Sequence, residues 1–309
     1  MLDLKALTLF VAVAERLSVS RAAAAMHISQ SALSRQIQGL ERDLEIRLFD
    51  RIGKKMVLTA EGEDLLPRVG PLLEQARRLS HRVKALQRGE AGFLCLGATP
   101  QTIEAILSHV LRSLREKNSA IETRLIEGPN DELLEYVETG AVHAAIAWAP
   151  NEQKFERLDL FKAKLYAVLP PGHPAEGACS LDLSELGDWP ILSLKRGFMT
   201  RSVFDQGCVD AGLRISQLIE SDSTQTLWAL AKSGMGVAIV SSTAVTQLHK
   251  DKAVPLTLEG RSLEQVVSAV WNARRYQPAL LQAFLIELKA FLSVAPEGEK
   301  FRQFTESLV

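Results

Sequence analysis

Residues 18–44, SVSRAAAAMHISQSALSRQIQGLERDL, constrain the chain most. They hold two helical stretches separated by residues that fit neither. Four successive alanines, Ala22 to Ala25, build the first stretch. Alanine is the strongest helix former and lets a second helix approach closely. Ser18 and Ser20 are candidate N-caps for a helix over 19–26, Met26-His27-Ile28 breaks it, and Ser29 caps a helix that runs to about Asp43. Upstream, Leu2, Leu4, Leu7, Phe10, Val11, Val13 and Ala14 recur at helical spacing, giving a first helix of about 13 residues. A short helix, a tight turn and a longer helix make a helix-turn-helix.

The longer helix has two faces. Ala32, Leu33, Ile37, Leu40 and Leu44 form an apolar stripe, and Gln30, Ser31, Ser34, Arg35 and Gln38 fall opposite. Side chains of this second kind read base edges, Gln on adenine, Arg on guanine and Ser on either. A solvated helix face has the same composition, so this helix alone leaves both readings open. The residues after it favour base reading. Arg47–Arg51 and Met56–Thr59 have the pattern of two short strands turning through Ile52-Gly53-Lys54-Lys55. The whole is then a winged helix-turn-helix, with Arg51, Lys54 and Lys55 placed for phosphates or the minor groove.

Charge is spread accordingly. Residues 1–88 hold 15 Lys/Arg against 10 Asp/Glu, while residues 89–309 hold 21 against 27. A basic head on an acidic body suits an anionic partner for the head alone. No run of about 18 apolar residues is present, and the first 20 residues lack the layout of a signal peptide, so a cytoplasmic location is expected. Cys95, Cys179 and Cys208 are too few and too scattered for a disulfide framework or a metal cluster.

From residue 60 the pattern changes. Leu65, Val69, Leu72, Ala76, Leu79, Val83 and Leu86 alternate spacings of four and three, a heptad seam that predicts a helix pairing with a second copy of itself. The alternative is an amphipathic helix packed on its own domain. Pro67 and Pro71 interrupt the seam and predict a bend or a delayed helix start. Gly89 and Gly92 end the helix.

Residues 93–295 alternate strand and helix, as a parallel α/β sheet does. Strands are expected at 93–97, 121–126 and 144–148, with helices at 102–117 and 130–139 between them. A strand at 160–169 leaves this unit. After Pro170-Pro171-Gly172-His173-Pro174 comes a second unit, with strands near 190–194, 215–220 and 237–240 and helices near 200–212 and 223–233. A strand at 266–270 and an amphipathic helix at 278–292 return to the first unit. Two α/β lobes crossed by two strands make a hinged receptor with a cleft. Ligands of open α/β sheets bind beyond the carboxyl ends of strands. This places at the cleft the loops holding Thr99, Pro100, Gln101 and Thr102; Gly128; Trp148; Phe198, Met199 and Thr200; and Ser223. Thr99, Gln101, Thr102 and Thr200 are the best donors among them, and Trp148, Phe198 and Met199 supply apolar wall. Each residue also fits an ordinary cap or loop position.

In its head the chain resembles the LysR-type transcriptional regulators. The matching text is FVAVAE (10–15), SRAAAA (20–25), HISQSALSRQI (27–37), Leu40-Glu41, Leu44-Glu45, LFDR (48–51) and LTAEG (58–62). In the body it is LYAVLPPGHP (165–174), SGMGVAIV (233–240) and GAVHAAI (140–146). The resemblance implies a winged helix-turn-helix over 1–59, a linker and dimerisation helix over 60–89, and an effector domain of type II periplasmic-binding-protein fold over 90–295. Lobe I of that domain would span about 90–164 and 266–295, lobe II about 165–265, with a tail at 296–309. It implies base contacts from Gln30, Ser31, Ser34 and Arg35, and backbone or minor-groove contacts from Arg21, Arg51, Lys54 and Lys55. It further implies a small, often carboxylate-bearing effector in the cleft, no cofactor, a homodimer assembling to a homotetramer on promoter DNA, and RNA polymerase as a further partner. Two residues depart from the pattern. Ser31 stands where many relatives carry proline, and His143 where they usually carry aspartate. Some relatives sense peroxide through two cysteines near Cys208, but Cys179 lies outside that pattern, so Cys95 and Cys208 are expected to be buried and inert.

Two other functions share parts of this pattern. An enzyme with a DNA-binding appendage would need catalytic groups, and no Ser-His-Asp order, metal cluster, GxGxxG or phosphate loop appears; the histidines at 27, 81, 109, 143, 173 and 249 are scattered. An architectural DNA binder would bind without regard to sequence.

Overall fold

A computed structural model describes residues 3–52, 55–149, 154–186, 189–245, 253–294, 299–302 and 305–308, with main chain only at 51, 52, 55, 300, 306 and 307. The chain divides into two compact units, residues 1–84 and 85–309.

The first unit holds α1 (Leu4–Arg16), α2 (Val19–Ala25), α3 (Gln30–Leu44), β1 (Phe49–Ile52), β2 (Lys55–Leu58) and most of α4 (Ala60–Gln87). Each early helix starts where a side chain accepts a first-turn N–H: Asp3 from Lys5, Ser18 from Arg21 and Ser29 from Ala32. The expected apolar stripe of α3 is buried at Leu33, Ile37 and Leu40, against Leu7, Phe10 and Val13 of α1 and Ala22 and Ala23 of α2. Ala32 and Leu44, at its edges, are half-buried. β1 and β2 form an antiparallel hairpin, and the Phe49 ring lies 5.5 Å from that of Phe10, seating the hairpin on α1.

The long helix corrects one half of an expectation, the delayed start at the prolines. α4 runs unbroken through Pro67 and Pro71, with no delayed start. A proline removes one intrahelical donor and leaves a carbonyl four residues back without its partner. Pro67, Pro71 and Glu63 are all exposed, so water can reach the freed carbonyls. Val69 and Leu73 meanwhile bury themselves in the head and hold the helix through this region.

The second unit begins with β3 (Ala91–Ala98). Next come α5 (Pro100–Thr102), a π-helical turn (Ile103–Leu107) and α6 (Ser108–Lys117), then β4 (Ala120–Glu127), α7 (Asn130–Thr139) and β5 (Ala144–Ala147). β6 (Phe155–Val168) leads to β7 (Leu181–Asp182), a 3-10 turn (Leu183–Leu186), β8 (Ile191–Leu194), α8 (Met199–Asp210) and β9 (Leu218–Ser221). Then come α9 (Thr224–Lys232), β10 (Val237–Ser241), α10 (Ser242–Val245), β11 (Ala253–Leu258), β12 (Arg261–Ser262) and β13 (Glu264–Asn272). The chain closes with α11 (Ala279–Ser293), α12 (Glu299–Arg302) and β14 (Glu306–Ser307).

Two sheets share one strand. The order is β4-β3-β5-β13-β6 in lobe I and β6-β10-β8-β9 in lobe II. β3 pairs parallel with β4 and β5, and β8 pairs parallel with β9 and β10. β6 crosses between the lobes. Its first part pairs antiparallel with β13, and Leu165–Val168 pairs antiparallel with β10. This strand is five residues longer at its start than expected. The added FERLD carries three charges, which hid it from a search for apolar runs. Those charges are used: Glu156 accepts from the Trp271 indole at 2.7 Å and Asp159 from the Ser268 hydroxyl at 2.7 Å.

α11 rejoins lobe I, packing Leu281, Phe284 and Leu288 against Ile106, Val110 and Leu114. The tail joins it too. Phe301 is 2% exposed and meets Phe161 edge-on at 4.8 Å, and β14 pairs with β6. His143 is structural: its Nδ1 accepts from the Cys95 N–H at 2.9 Å and its own N–H donates to the Cys95 carbonyl at 2.9 Å. Among the described residues no helix is long and apolar enough to cross a membrane.

Candidate nucleic-acid interface and effector cleft

The recognition-type face of α3 is available to a partner. Gln30, Ser31, Arg35 and Gln38 are exposed and Ser34 is half-buried. The turn that presents them includes His27 at φ 52°, a left-handed residue that reverses the chain between α2 and α3. Two contacts order the face without using it up. The Ser29 and Ser31 hydroxyls lie 3.1 Å apart, and Arg35 donates through Nε to the Ser31 carbonyl at 3.3 Å. The terminal nitrogens of Arg35 make no hydrogen bond among the described residues. Arg21 differs: its guanidinium donates to the Arg16 carbonyl at 2.6 Å, tying α2 to the end of α1.

The wing is anchored from its root. Glu41 of α3 accepts the N–H of Leu48 at 2.8 Å and of Phe49 at 3.2 Å. Thr59 donates its hydroxyl to the Arg47 carbonyl at 2.6 Å and accepts the Gly62 N–H at 3.0 Å. Lys54 lies outside the described residues, as do the side chains of Arg51 and Lys55. Neither Glu41 nor Thr59 stands out in the sequence as an anchor, because each looks like an ordinary helix or loop residue.

The seam of α4 splits into two uses. Val69 is buried in the head, joined by Leu73, and Leu65 packs beside it. Beyond them Leu72, Leu79, Val83 and Leu86 are 40%, 66%, 43% and 44% exposed, a row of apolar side chains with Ala76 half-buried among them.

In the second unit a cavity of about 40 Å³ lies between the lobes. Lobe I contributes Thr99, Gln101 and Thr102 from the turn after β3, Asn130 from α7, Ile146, Ala147 and Trp148 from the end of β5, and Ala163 and Val267 from the crossing strands. Lobe II contributes Leu194 from β8, Phe198, Met199 and Thr200 at the start of α8, Thr224 at the start of α9, Ser241 at the end of β10 and Thr243 on α10. Of the residues expected at the cleft, Thr99, Gln101, Thr102, Trp148, Phe198, Met199 and Thr200 line the cavity; Pro100, Gly128 and Ser223 do not. Ser223 instead caps α9, accepting from the Thr226 N–H. Of the other lining residues, Ile146, Ala147, Leu194 and Ser241 sit at carboxyl ends of strands, Ala163 and Val267 on the crossing strands, and Asn130, Thr224 and Thr243 on α7, α9 and α10. The ends of β5, β8 and β10 obey the same rule that located the others, but the crossing strands become lining only when the lobes close.

Lining charge is absent among the described residues, and the polar part of the lining is mostly hydroxyls. Thr99 and Thr102 share a hydroxyl contact at 3.0 Å, and Ser241 and Thr243 one at 2.6 Å. Gln101 of lobe I donates to the Thr224 hydroxyl of lobe II at 2.7 Å, and the Asp131 N–H donates to the Gly197 carbonyl at 3.3 Å, so the lobes are latched across the cleft. Thr200 is 6% exposed and its hydroxyl has no partner among the described residues. It stands in the first turn of α8, which has no side-chain cap; the Arg201 N–H donates to the Phe198 carbonyl at 3.1 Å, and the N–H groups of Met199 and Thr200 have no partner among the described residues.

Behind Thr200, Arg201 fixes α8. It is 5% exposed and donates to the Leu194 carbonyl at 3.2 Å, to Asp205 at 2.7 Å and to Glu220. Burial disfavours its charge, but the two carboxylates outweigh that and raise its pKa. Cys208 lies on the same helix. Burial, and then the charge of Asp205, push its thiol up to about 11, so it is a protonated thiol at neutral pH. Burial also raises the Cys95 thiol. Cys179 is exposed.

A winged helix-turn-helix, a long helix with an apolar row, and a two-lobed body enclosing a cleft define a ligand-responsive DNA-binding regulator. Residues 4–63 match the family described as "Bacterial regulatory helix-turn-helix protein, lysR family", and residues 87–293 match "LysR substrate binding domain". The chain belongs to the LysR family of transcriptional regulators. It is 29% identical over 238 residues to a probable hydrogen peroxide-inducible genes activator of Mycobacterium avium, 76% of each chain. It is 25% identical to the RuBisCO operon transcriptional regulator of Allochromatium vinosum, covering 84% of this chain and 86% of that one. Its fold resembles the crystal structure of full-length CbnR complexed with its target DNA, at a TM-score of 0.70 and 24% identity over 93% of this chain and 99% of that one. The protein is thus a DNA-binding transcription regulator with an effector domain, and not an enzyme.

Proposed function

We propose that this regulator reads a dyad in promoter DNA through two copies of α3 and is switched by a small carboxylate held between its lobes. The observation that carries the reading is the polar face of α3, exposed along Gln30, Ser31, Arg35 and Gln38 directly opposite a buried stripe. Such a face meets base edges, while Lys54, Lys55, Arg51 and Arg21 serve the backbone. The apolar row Leu72, Leu79, Val83 and Leu86 supports pairing with a second copy, since exposed apolar rows on one helix face mark interaction sites. Pairing would set half-sites about one helical turn, ~34 Å, or a multiple apart. Two such dimers would form the homotetramer, and RNA polymerase is the partner a promoter-bound activator would meet.

The cleft supports a ligand with one anionic end and an apolar body. Thr99, Thr102, Thr200 and the open first turn of α8 offer donors, and Trp148, Phe198 and Met199 offer wall. With no lysine or arginine among its described lining residues, the cavity would hold a single negative charge through hydroxyls and N–H groups, as helix N-termini do. A ligand that binds one lobe arrangement better than another shifts the population of the two.

The experiment is a titration of the protein on its own upstream region and on random DNA of equal length, at fixed salt, with and without a panel of small carboxylates. Tighter binding to the upstream region, altered by a panel member, is expected. Equal affinity for both DNAs would overturn the regulator reading in favour of an architectural binder.

A further inference from the structure

We infer that the indole of Trp148 is a swinging wall of the cleft and fixes the size of ligand it admits, an inference that rests on the effector reading above. The cavity, at about 40 Å³, falls well short of the roughly 150 Å³ that takes up a benzene ring. A ligand with an aromatic body needs more room, so a wall has to move. Phe198 and Leu194 are embedded in the core of lobe II, and Met199 packs against the core of lobe I. Trp148 is different, because there is space behind it. A second, open groove of about 510 Å³ lies between α8 and the start of β13, and among the described residues Trp148 alone lines both cavities.

The remaining tryptophans show what a fixed indole looks like in this protein. Trp271 donates to Glu156 at 2.7 Å, Trp228 is 5% exposed beneath the Lys232 ammonium, and Trp189 packs on His173 with centroids 4.7 Å apart. Trp148 has its main chain held at both ends by Asn130, which accepts from its N–H at 2.8 Å and donates to its carbonyl at 3.0 Å. Its side chain has no hydrogen bond, ring contact or cation among the described residues. A clamped backbone with a free side chain confines motion to rotation of the indole. Turning it into the outer groove enlarges the inner cavity, with no need to open the Gln101–Thr224 latch. Asn130 is then a positioning residue for the wall, and Trp148 the residue that selects by size.

The test uses the full chain labelled with 5-fluorotryptophan and followed by 19F NMR, with Trp148→Phe to assign its line. The expected spectrum has a Trp148 line split or broadened by exchange, beside sharper lines for the others. Ser202→Phe places a ring in the outer groove from an exposed position on α8 and should collapse the Trp148 line to one environment; Gln206→Phe does the same from a neighbouring turn if the first variant folds poorly. Benzoate and 2-naphthoate are the probes. Each should shift the Trp148 line toward the rotated state, and Trp148→Ala should raise the affinity for 2-naphthoate relative to benzoate several-fold in thermal-shift titrations. A single sharp Trp148 line, unchanged by Ser202→Phe and Gln206→Phe, overturns the swinging wall whatever binds. Exchange that persists while no carboxylate in the panel moves the line or alters DNA affinity overturns the effector reading, and the wall's role in selection with it.

Discussion

Two glycines eight residues apart on α4 make opposite predictions under one substitution. By helix propensity alone, Gly→Ala inside a helix stabilises by about 1 kcal/mol. At Gly70 nothing lies within 4 Å of the new Cβ, so Gly70→Ala should gain up to that amount. At Gly62 the new Cβ would sit 2.3 Å from the Leu48 carbonyl oxygen and 2.9 Å from Leu58 Cδ2. The first neighbour is backbone, held by the N–H of Thr59 at 3.1 Å, and cannot swing aside as a side-chain tip can. Relief requires the helix start to lift off the root of the wing. Overpacking of this kind costs ~1–3 kcal/mol, and a backbone neighbour places it at the upper end, so the clash outweighs the propensity gain. For a unit of this size 1 kcal/mol moves Tm by roughly 4–8 °C. Gly62→Ala should therefore lower the melting of the head by about 5–15 °C, and Gly70→Ala should raise it slightly. All four tryptophans lie at or beyond residue 148, so their fluorescence reports the second unit alone while helical circular dichroism reports both. The expected pattern is an early dichroism transition in Gly62→Ala with the fluorescence transition unmoved, and weakened DNA binding. A Gly62→Ala head as stable as the parent would refute the packing of α4 against Leu48.

Single contacts set the other expected outcomes. Arg35→Ala should lose ~1–3 kcal/mol of discrimination at one base pair in a mobility-shift competition, whereas Lys54→Ala should weaken all DNA alike; uniform loss in Arg35→Ala would remove it from base reading. Glu287 is half-buried, which opposes its charge, but the Lys117 ammonium and the Ser113 hydroxyl outweigh that and lower its pKa. Its folded pKa is depressed, so its contribution is present above the unfolded value, ~4.3, and is lost as pH falls through the folded one. Acid melts of the parent should lose more stability below about pH 4.5 than those of Glu287→Gln, and parallel curves would contradict this pairing. Finally, iodoacetamide at pH 7.5 should modify Cys179 well before Cys208, whose buried thiol has a pKa of about 11, as read by peptide mass spectrometry; early labelling at Cys208 would show an open path to α8.

The sequence alone determined the local structure. Caps at Ser18 and Ser29, the alanine block and the 3.6-residue stripe of α3 depend on residues within a turn of one another, and all appear where spacing placed them. The alternation of apolar strand and amphipathic helix located most of the body, and the rule that ligands sit beyond strand ends located seven lining residues of the cleft. Tertiary structure decided the rest, because those contacts join residues far apart in the chain. A heptad seam does not say whether its partner is the molecule's own head or a second copy, and α4 gives Val69 to the first while leaving Leu79 exposed. A proline count does not reveal that the freed carbonyls face water. The charged start of β6 is a strand because β13 lies beside it. The latch from Gln101 to Thr224 spans 123 residues, and only closure of the two lobes brings its donor and acceptor together.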